Sequence, residues 1–183
     1  FAVQPSIATD GTLTYTAAPN ASGTATMQVR VRDNGGVASG GVDTSPTQSF
    51  TITVNSVNDA PAVSLGSIPT IIEDGGSQSV PGFASFNAGP GESQSLLGYT
   101  VSNISNPAMF AAGPSVSNTG VLTYTPAPNA SGSVSFTVTA RDSGVTANGG
   151  VDTSSPAQAT LTITNVNDAP SFAAANPPAS NED

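Results

Sequence analysis

The chain has 183 residues, 37% of them hydrophobic and 5% aromatic, with 12 acidic and three basic side chains and a net charge of −9. It lacks cysteine, histidine and lysine, which excludes disulfide and thiol chemistry, Ser-His-Asp catalysis and Schiff-base chemistry. An acidic surface with so few cations repels nucleic acid and anionic membranes and attracts divalent cations, and no apolar run approaches the roughly 18 residues of a membrane span.

In chain order, the elements read as strands. Met27, Val29 and Val31 alternate with Gln28 and Arg30, and Phe50, Ile52 and Val54 alternate with Thr51 and Thr53. This period of two puts apolar residues on one face and polar ones on the other. Further strands are predicted near 63–72, 78–86, 96–103, 109–116, 120–126, 132–141 and 157–165. Short strands with Gly, Pro and Asn at the turns predict an all-β, antiparallel Greek-key sandwich. Its core should centre on Phe83, Tyr99, Val101, Phe110, Leu122, Tyr124, Phe136, Val138, Leu161 and Ile163. Nothing reads as a long amphipathic helix.

Phe1 to Asp74 aligns without a gap onto Phe110 to Asp183, a spacing of 109 residues, with about half the positions identical. Gly11 to Gly23 matches Gly120 to Gly132, and Arg32 to Ser45 matches Arg141 to Ser154. Val-Asn-Asp-Ala-Pro recurs at Val57 to Pro61 and Val166 to Pro170, and Glu73-Asp74 recurs as Glu182-Asp183. Asn and Asp favour local turns, and Pro disfavours helix in the residue before it, so this string reads as a linker. Three segments are expected: residues 1–61, the C-terminal part of one repeat; 62–170, a complete repeat; and 171–183, the start of a third. No signal peptide is visible, and because the chain opens within a repeat its true N-terminus is expected to lie outside it.

The repeat resembles the tandem cadherin-like, Ig-like domains of large bacterial surface proteins and adhesins. The residues that carry the likeness are Glu73-Asp74, the Gly120 to Pro126 strand, the Asn129-Ala130-Ser131-Gly132 turn, Arg141-Asp142-Ser143-Gly144 and the closing Val166 to Pro170. The resemblance implies an Ig-like sandwich with Ca²⁺ between successive domains. It also implies ligand roles for linker residues Asn58, Asp59, Asn167 and Asp168, for Glu73 on the first strand and for Asp142 after the sixth. Asp74 and Asp152 are further candidates, and Glu92 is the one carboxylate in the segment Asn87 to Glu92. Three departures mark this chain: Ser56 and Asn165 stand where the first linker Asp would be, Ala18 to Ala21 offers no carboxylate, and the Asp-x-Asp pair after the second strand is absent. One or two sites per junction are expected.

Ca²⁺ takes about six to eight oxygen ligands, chiefly carboxylates, amide oxygens and main-chain carbonyls. Strand order should gather Asp142 and Asp152 near Asn58 and Asp59, and Glu73 and Asp74 near Asn167 and Asp168. The plainer role for each is an Asx turn or a solvated surface charge. A glycosidase pair is not expected: Glu73 and Asp74 are adjacent, so on a strand they face opposite ways. The glycine-rich stretch Ser143 to Gly150 is followed by no lysine and reads as a hairpin loop. Asn20, Asn103 and Asn129 open formal glycosylation sequons, of a kind that arises by chance in a Ser/Asn-rich chain.

The expected function is non-enzymatic. The chain should be a spacer or fibre-building repeat of a large extracellular bacterial surface protein, stiffened by Ca²⁺ at its linkers and packed against neighbouring repeats. The alternative is a binding module, for polysaccharide at a cell surface or for another copy of itself, with polymerisation by strand complementation.

Overall fold

The structure is a computed structural model that describes residues 1–176 and 179–180. Glu182 and Asp183, which repeat Glu73 and Asp74 in sequence, lie outside the described residues. Among the described residues thirteen strands carry the fold: β1 Val3–Ile7, β2 Leu13–Thr16, β3 Gly23–Val29, β4 Gln48–Val54, β5 Ala62–Leu65, β6 Ile71–Ile72, β7 Gln78–Val80, β8 Ala84–Asn87, β9 Leu96–Ser102, β10 Phe110–Val116, β11 Leu122–Pro126, β12 Gly132–Asp142 and β13 Ala157–Thr164. The helical content is three short 3-10 turns among the described residues. The protein is all-β, as the alternation predicts.

The chain divides into two compact units. One comprises residues 1–63, 86–98 and 139–155; the other comprises 64–85, 99–138 and the chain from Pro156 onward.

The second unit holds most of the apolar core. One of its sheets runs β10-β11-β7 and the other β6-β13-β12-β9. β12 pairs antiparallel with β13 from Gly132↔Ile163 to Val138↔Ala157, and β13 pairs parallel with β6 at Ile163↔Ile71. Inward positions Val134, Phe136 and Val138 alternate with Ser133, Ser135 and Thr137, so the pleat sends every second residue to the core. These residues are buried with Phe83, Met109, Leu122, Tyr124, Leu161 and Ile163. Phe83 and Phe136 meet tilted, and Phe110 meets Tyr124 edge-on.

In the first unit β1 pairs with β2 and β3 with β4, both antiparallel. Their registers repeat those of the second unit at the 109-residue spacing. Ile7↔Leu13 corresponds to Val116↔Leu122, and Met27↔Phe50 corresponds to Phe136↔Ala159. Burial does not follow. Leu13 and Tyr15 are 37% and 43% exposed, whereas Leu122 and Tyr124 are 0% and 3% exposed.

Two expected strands come out divided. The segment 63–72 forms β5 and β6, separated by Gly66 to Thr70. Pro69 has no N–H to give a ladder there. The segment 78–86 forms β7 and β8, broken at Pro81-Gly82, where Gly82 takes φ +66. Tyr99, Val101 and Phe110, expected in the core, are half-buried. Met109 and Ala140 are buried although neither was expected there.

Candidate functional site

Among the described residues the fold buries few polar side chains: Asn58, Glu73, Asp142 and Ser154. Three of the four are predicted site residues.

Asp142 ends β12, and Asn58 belongs to the first linker. The Asn58 Nδ2 donates to Val151 O at 2.5 Å and to Asp142 Oδ1 at 3.3 Å, and the Val151 N–H donates back to Asn58 O at 2.9 Å. Asp142 Oδ1 also accepts the Gly144 N–H at 2.8 Å, an Asx turn that shapes the loop. Two oxygens remain buried without a hydrogen-bond partner, Asn58 Oδ1 and Asp142 Oδ2. Asp142 is 0% exposed. Its neighbour Asp152 is committed elsewhere. The Arg141 Nε donates to Asp152 Oδ2 at 2.8 Å and the Thr153 hydroxyl to Oδ1. These bonds, Arg141's first, hold the Asp152 carboxyl below the usual carboxylate range.

Asp59 lies half-buried in a polar cleft with Asn20, Asn55, Ser56 and Glu92. Its N–H donates to Glu92 Oε1 at 3.3 Å, and Glu92 Oε2 accepts from the Gln94 amide. Gly89 lies beside both acidic side chains: a Cβ there would be in ordinary contact, at 3.5 Å, with Asp59 Cβ and Glu92 Cγ.

Glu73 lies in the other unit, directly after β6. Its Oε1 accepts the Val166 N–H and the Asn165 Nδ2, both at 2.6 Å, while Oε2 is buried with no partner. The acid therefore grips the linker at residues 165 and 166 rather than at Asn167 and Asp168. Asn167 and Asp168 are exposed, and the Asn167 Nδ2 donates to Asp168 O at 3.1 Å. Asp74, at φ +59, caps the Asn129 turn through its Oδ1.

The donor chemistry fits a hard, oxygen-seeking cation. A buried carboxylate is expensive unless it is paired or bound to a metal, and no arginine reaches Asp142 or Glu73 in the structure. Among the described residues no three acidic side chains converge. An ion at either place would therefore draw on one or two carboxylates, with amide and main-chain oxygens or water completing the shell. Asn165, Asn20, Asn55 and the Val151 carbonyl escape sequence reasoning. Neutral oxygens carry no charge signal, and only the fold brings them beside an acid.

Paired sheets around a buried Phe/Leu/Val core define an Ig-like β-sandwich repeat. Residues 58–164 match the family of bacterial Ig domains, and the chain belongs to that family. No curated protein matches it. Membership makes it a repeat of the type found in bacterial surface proteins. No helix among the described residues is long and apolar enough to cross a membrane.

Proposed function

We propose that the chain is a structural spacer of an extracellular bacterial surface protein, with residues 62–170 as its complete repeat and with Ca²⁺ stiffening its linkers. The observation that supports this most is the pair of buried carboxylates, Asp142 and Glu73. Each touches residues in or beside a Val-Asn-Asp-Ala-Pro linker, and each has an oxygen without a partner. Asn58 Oδ1 and Asp142 Oδ2 would contribute to one ion; Glu73 Oε2 would contribute to another, with Asn167 and Asp168 drawn in when it binds. Asp59 and Glu92 would add oxygens at the first linker. The ion supplies positive charge where the protein has none, so the linker gives up its freedom without stranding a carboxylate.

The test is a thermal melt of the whole chain in millimolar Ca²⁺ and in chelator. Saturating Ca²⁺ at about 100 times its Kd adds about 2.7 kcal/mol, a rise on the order of 10 °C for a domain of this size. Identical melts would remove calcium from the proposal and leave the spacer role standing.

A further inference from the structure

The Asn-x-Ser triplets that open at Asn20, Asn103 and Asn129 are alike in sequence, but the fold treats them differently. We propose that Asn20 and Asn129 are acceptor sites for N-linked sugar and that Asn103 is not. This rests on neither calcium nor the spacer role.

The chemistry asks for two groups at once. A transferase joins the anomeric carbon of a phosphate-activated sugar to the asparagine Nδ2. The bond from that carbon to the phosphate oxygen breaks, the phosphate leaves with its nucleotide or lipid, and the amide gives up one proton to the enzyme. The hydroxyl two residues further on belongs to the recognised triplet, which has to lie on a surface loop. Both groups therefore need to be exposed and free of other bonds.

At Asn103 both groups are committed. Its Nδ2 donates to Thr137 Oγ1 at 3.1 Å, and Ser105 Oγ accepts the Ser135 N–H at 3.0 Å. The Ser105 N–H donates back to Ser135 O at 2.9 Å. Sugar transfer at Asn103 would break the bonds that tie this segment to β12.

Asn20 and Asn129 differ on each point. They stand at equivalent places in the two repeats, in the same turn: the Ala21 N–H donates to Ala18 O at 3.2 Å, and the Ala130 N–H to Ala127 O at 3.1 Å. Their φ angles are 56 and 55. Both are exposed, and so are Ser22 and Ser131. Among the described residues neither carboxamide and neither hydroxyl has a hydrogen-bond partner; the Asn129 turn is held through its main-chain N–H, which donates to Asp74 Oδ1 at 3.2 Å. The strands resume at Gly23 and Gly132, so each triplet lies wholly in a loop.

The turn accounts for the asparagine, which enters the left-handed region more readily than most residues. It does not account for the serine. Elsewhere Ser105, Ser117 and Ser154 each accept a main-chain N–H, whereas Ser22 and Ser131 serve no such purpose. An idle hydroxyl two residues after an open asparagine, in both repeats, is the arrangement an acceptor site needs.

A following repeat does not close the site. Gly91 packs beside Asn20, where a Cβ would lie 3.5 Å from Asn20 O and 3.8 Å from Asn20 Cβ, and the Asn20 side chain stays exposed. Asn20 and Ser22 also line the polar cleft that holds Asp59 and Glu92. A sugar on Asn20 would therefore stand over that cleft and shield the first linker.

The experiment offers the intact folded chain to triplet-specific transferases in two arms. One supplies a nucleotide-activated hexose with a soluble enzyme, the other a lipid-diphosphate sugar with a membrane-bound enzyme. A free Asn-Ala-Ser peptide verifies that each enzyme is active. Intact mass and peptide mapping should show one sugar on Asn20 and one on Asn129, with Asn103 bare, and the arm that delivers them identifies the donor. Ser22→Ala and Ser131→Ala should each abolish the sugar at its own site while melting as the parent does, because neither hydroxyl bonds to the fold. Sugar on the peptide but on neither asparagine in both arms overturns the proposal, and so does sugar that survives the serine substitutions. Sugar on only one of the two overturns the assignment of the other. Modification of Asn103 to the same extent overturns the distinction drawn from its hydrogen bonds.

Discussion

Asn58 and Asp142 stand 84 positions apart in the chain, and the Asn58 side-chain amide donates to Asp142 Oδ1 at 3.3 Å. A linker residue and a loop residue thereby share one polar contact in a buried place. Each retains an oxygen with no partner, so the contact is chemically incomplete.

The glycine that admits Asn58 offers the sharpest stability test. Gly144→Ala drives a Cβ into the Asn58 amide, and overpacking of this kind costs about 1–3 kcal/mol. Gly35→Ala, at the equivalent place, meets only Asp33 at 3.2 Å and should change stability by no more than about 0.5 kcal/mol. Denaturant midpoints of the two variants at low protein concentration check the difference.

Asp142→Asn should reverse its effect with calcium. In chelator the variant keeps an acceptor for Gly144 and loses a buried charge, so it should melt at or above the parent. In calcium the parent gains and the variant gains less, so the order should invert. Paired calorimetric scans read this crossover; parallel shifts in both buffers would remove Asp142 from the ion site.

The two copies of the Leu-Thr-Tyr strand form an internal control for burial. Leu122 is 0% exposed and Leu13 is 37% exposed. Leu122→Ala should cost about 2–5 kcal/mol, whereas Leu13→Ala should cost about 1 kcal/mol or less. Urea unfolding, with attention to an unchanged slope, measures both.

Alkaline pH should unfold the protein through tyrosine. Burial raises the Tyr124 and Tyr99 phenols above their ordinary value of about 10. The unfolded chain then loses these protons first, so stability holds below about pH 10 and falls as pH rises toward the folded-state values. Tyrosinate absorbance followed alongside far-ultraviolet circular dichroism should show late ionisation coincident with unfolding. Tyr124→Phe should move that loss to higher pH.

The strands, their inward faces and the repeat were legible because their causes are local. Alternation at Val134, Phe136 and Val138 dictates which side chains point inward whatever packs against them. The 109-residue spacing is carried by side chains that form the same turns in both copies, such as Asp33 with Gly35 and Asp142 with Gly144. Local causes also explain the two divided strands, since Pro69 and Pro81-Gly82 interrupt otherwise apolar stretches.

Burial could not be read the same way. Asp33 and Asp142 share their neighbours in sequence, and so do Leu13 and Leu122, yet in each pair one is exposed and the other is 0% exposed. Sequence by itself determined the Ig-like strand pattern, the repeat and the acidic residues near the linkers. Tertiary structure alone decided that Asn58 seals Asp142, that Glu73 grips Asn165 and Val166, and that Asp152 is bound to Arg141. The physical reason is that desolvation belongs to a place in space, set by segments far apart in the chain, whereas pleat and turn belong to a few consecutive residues.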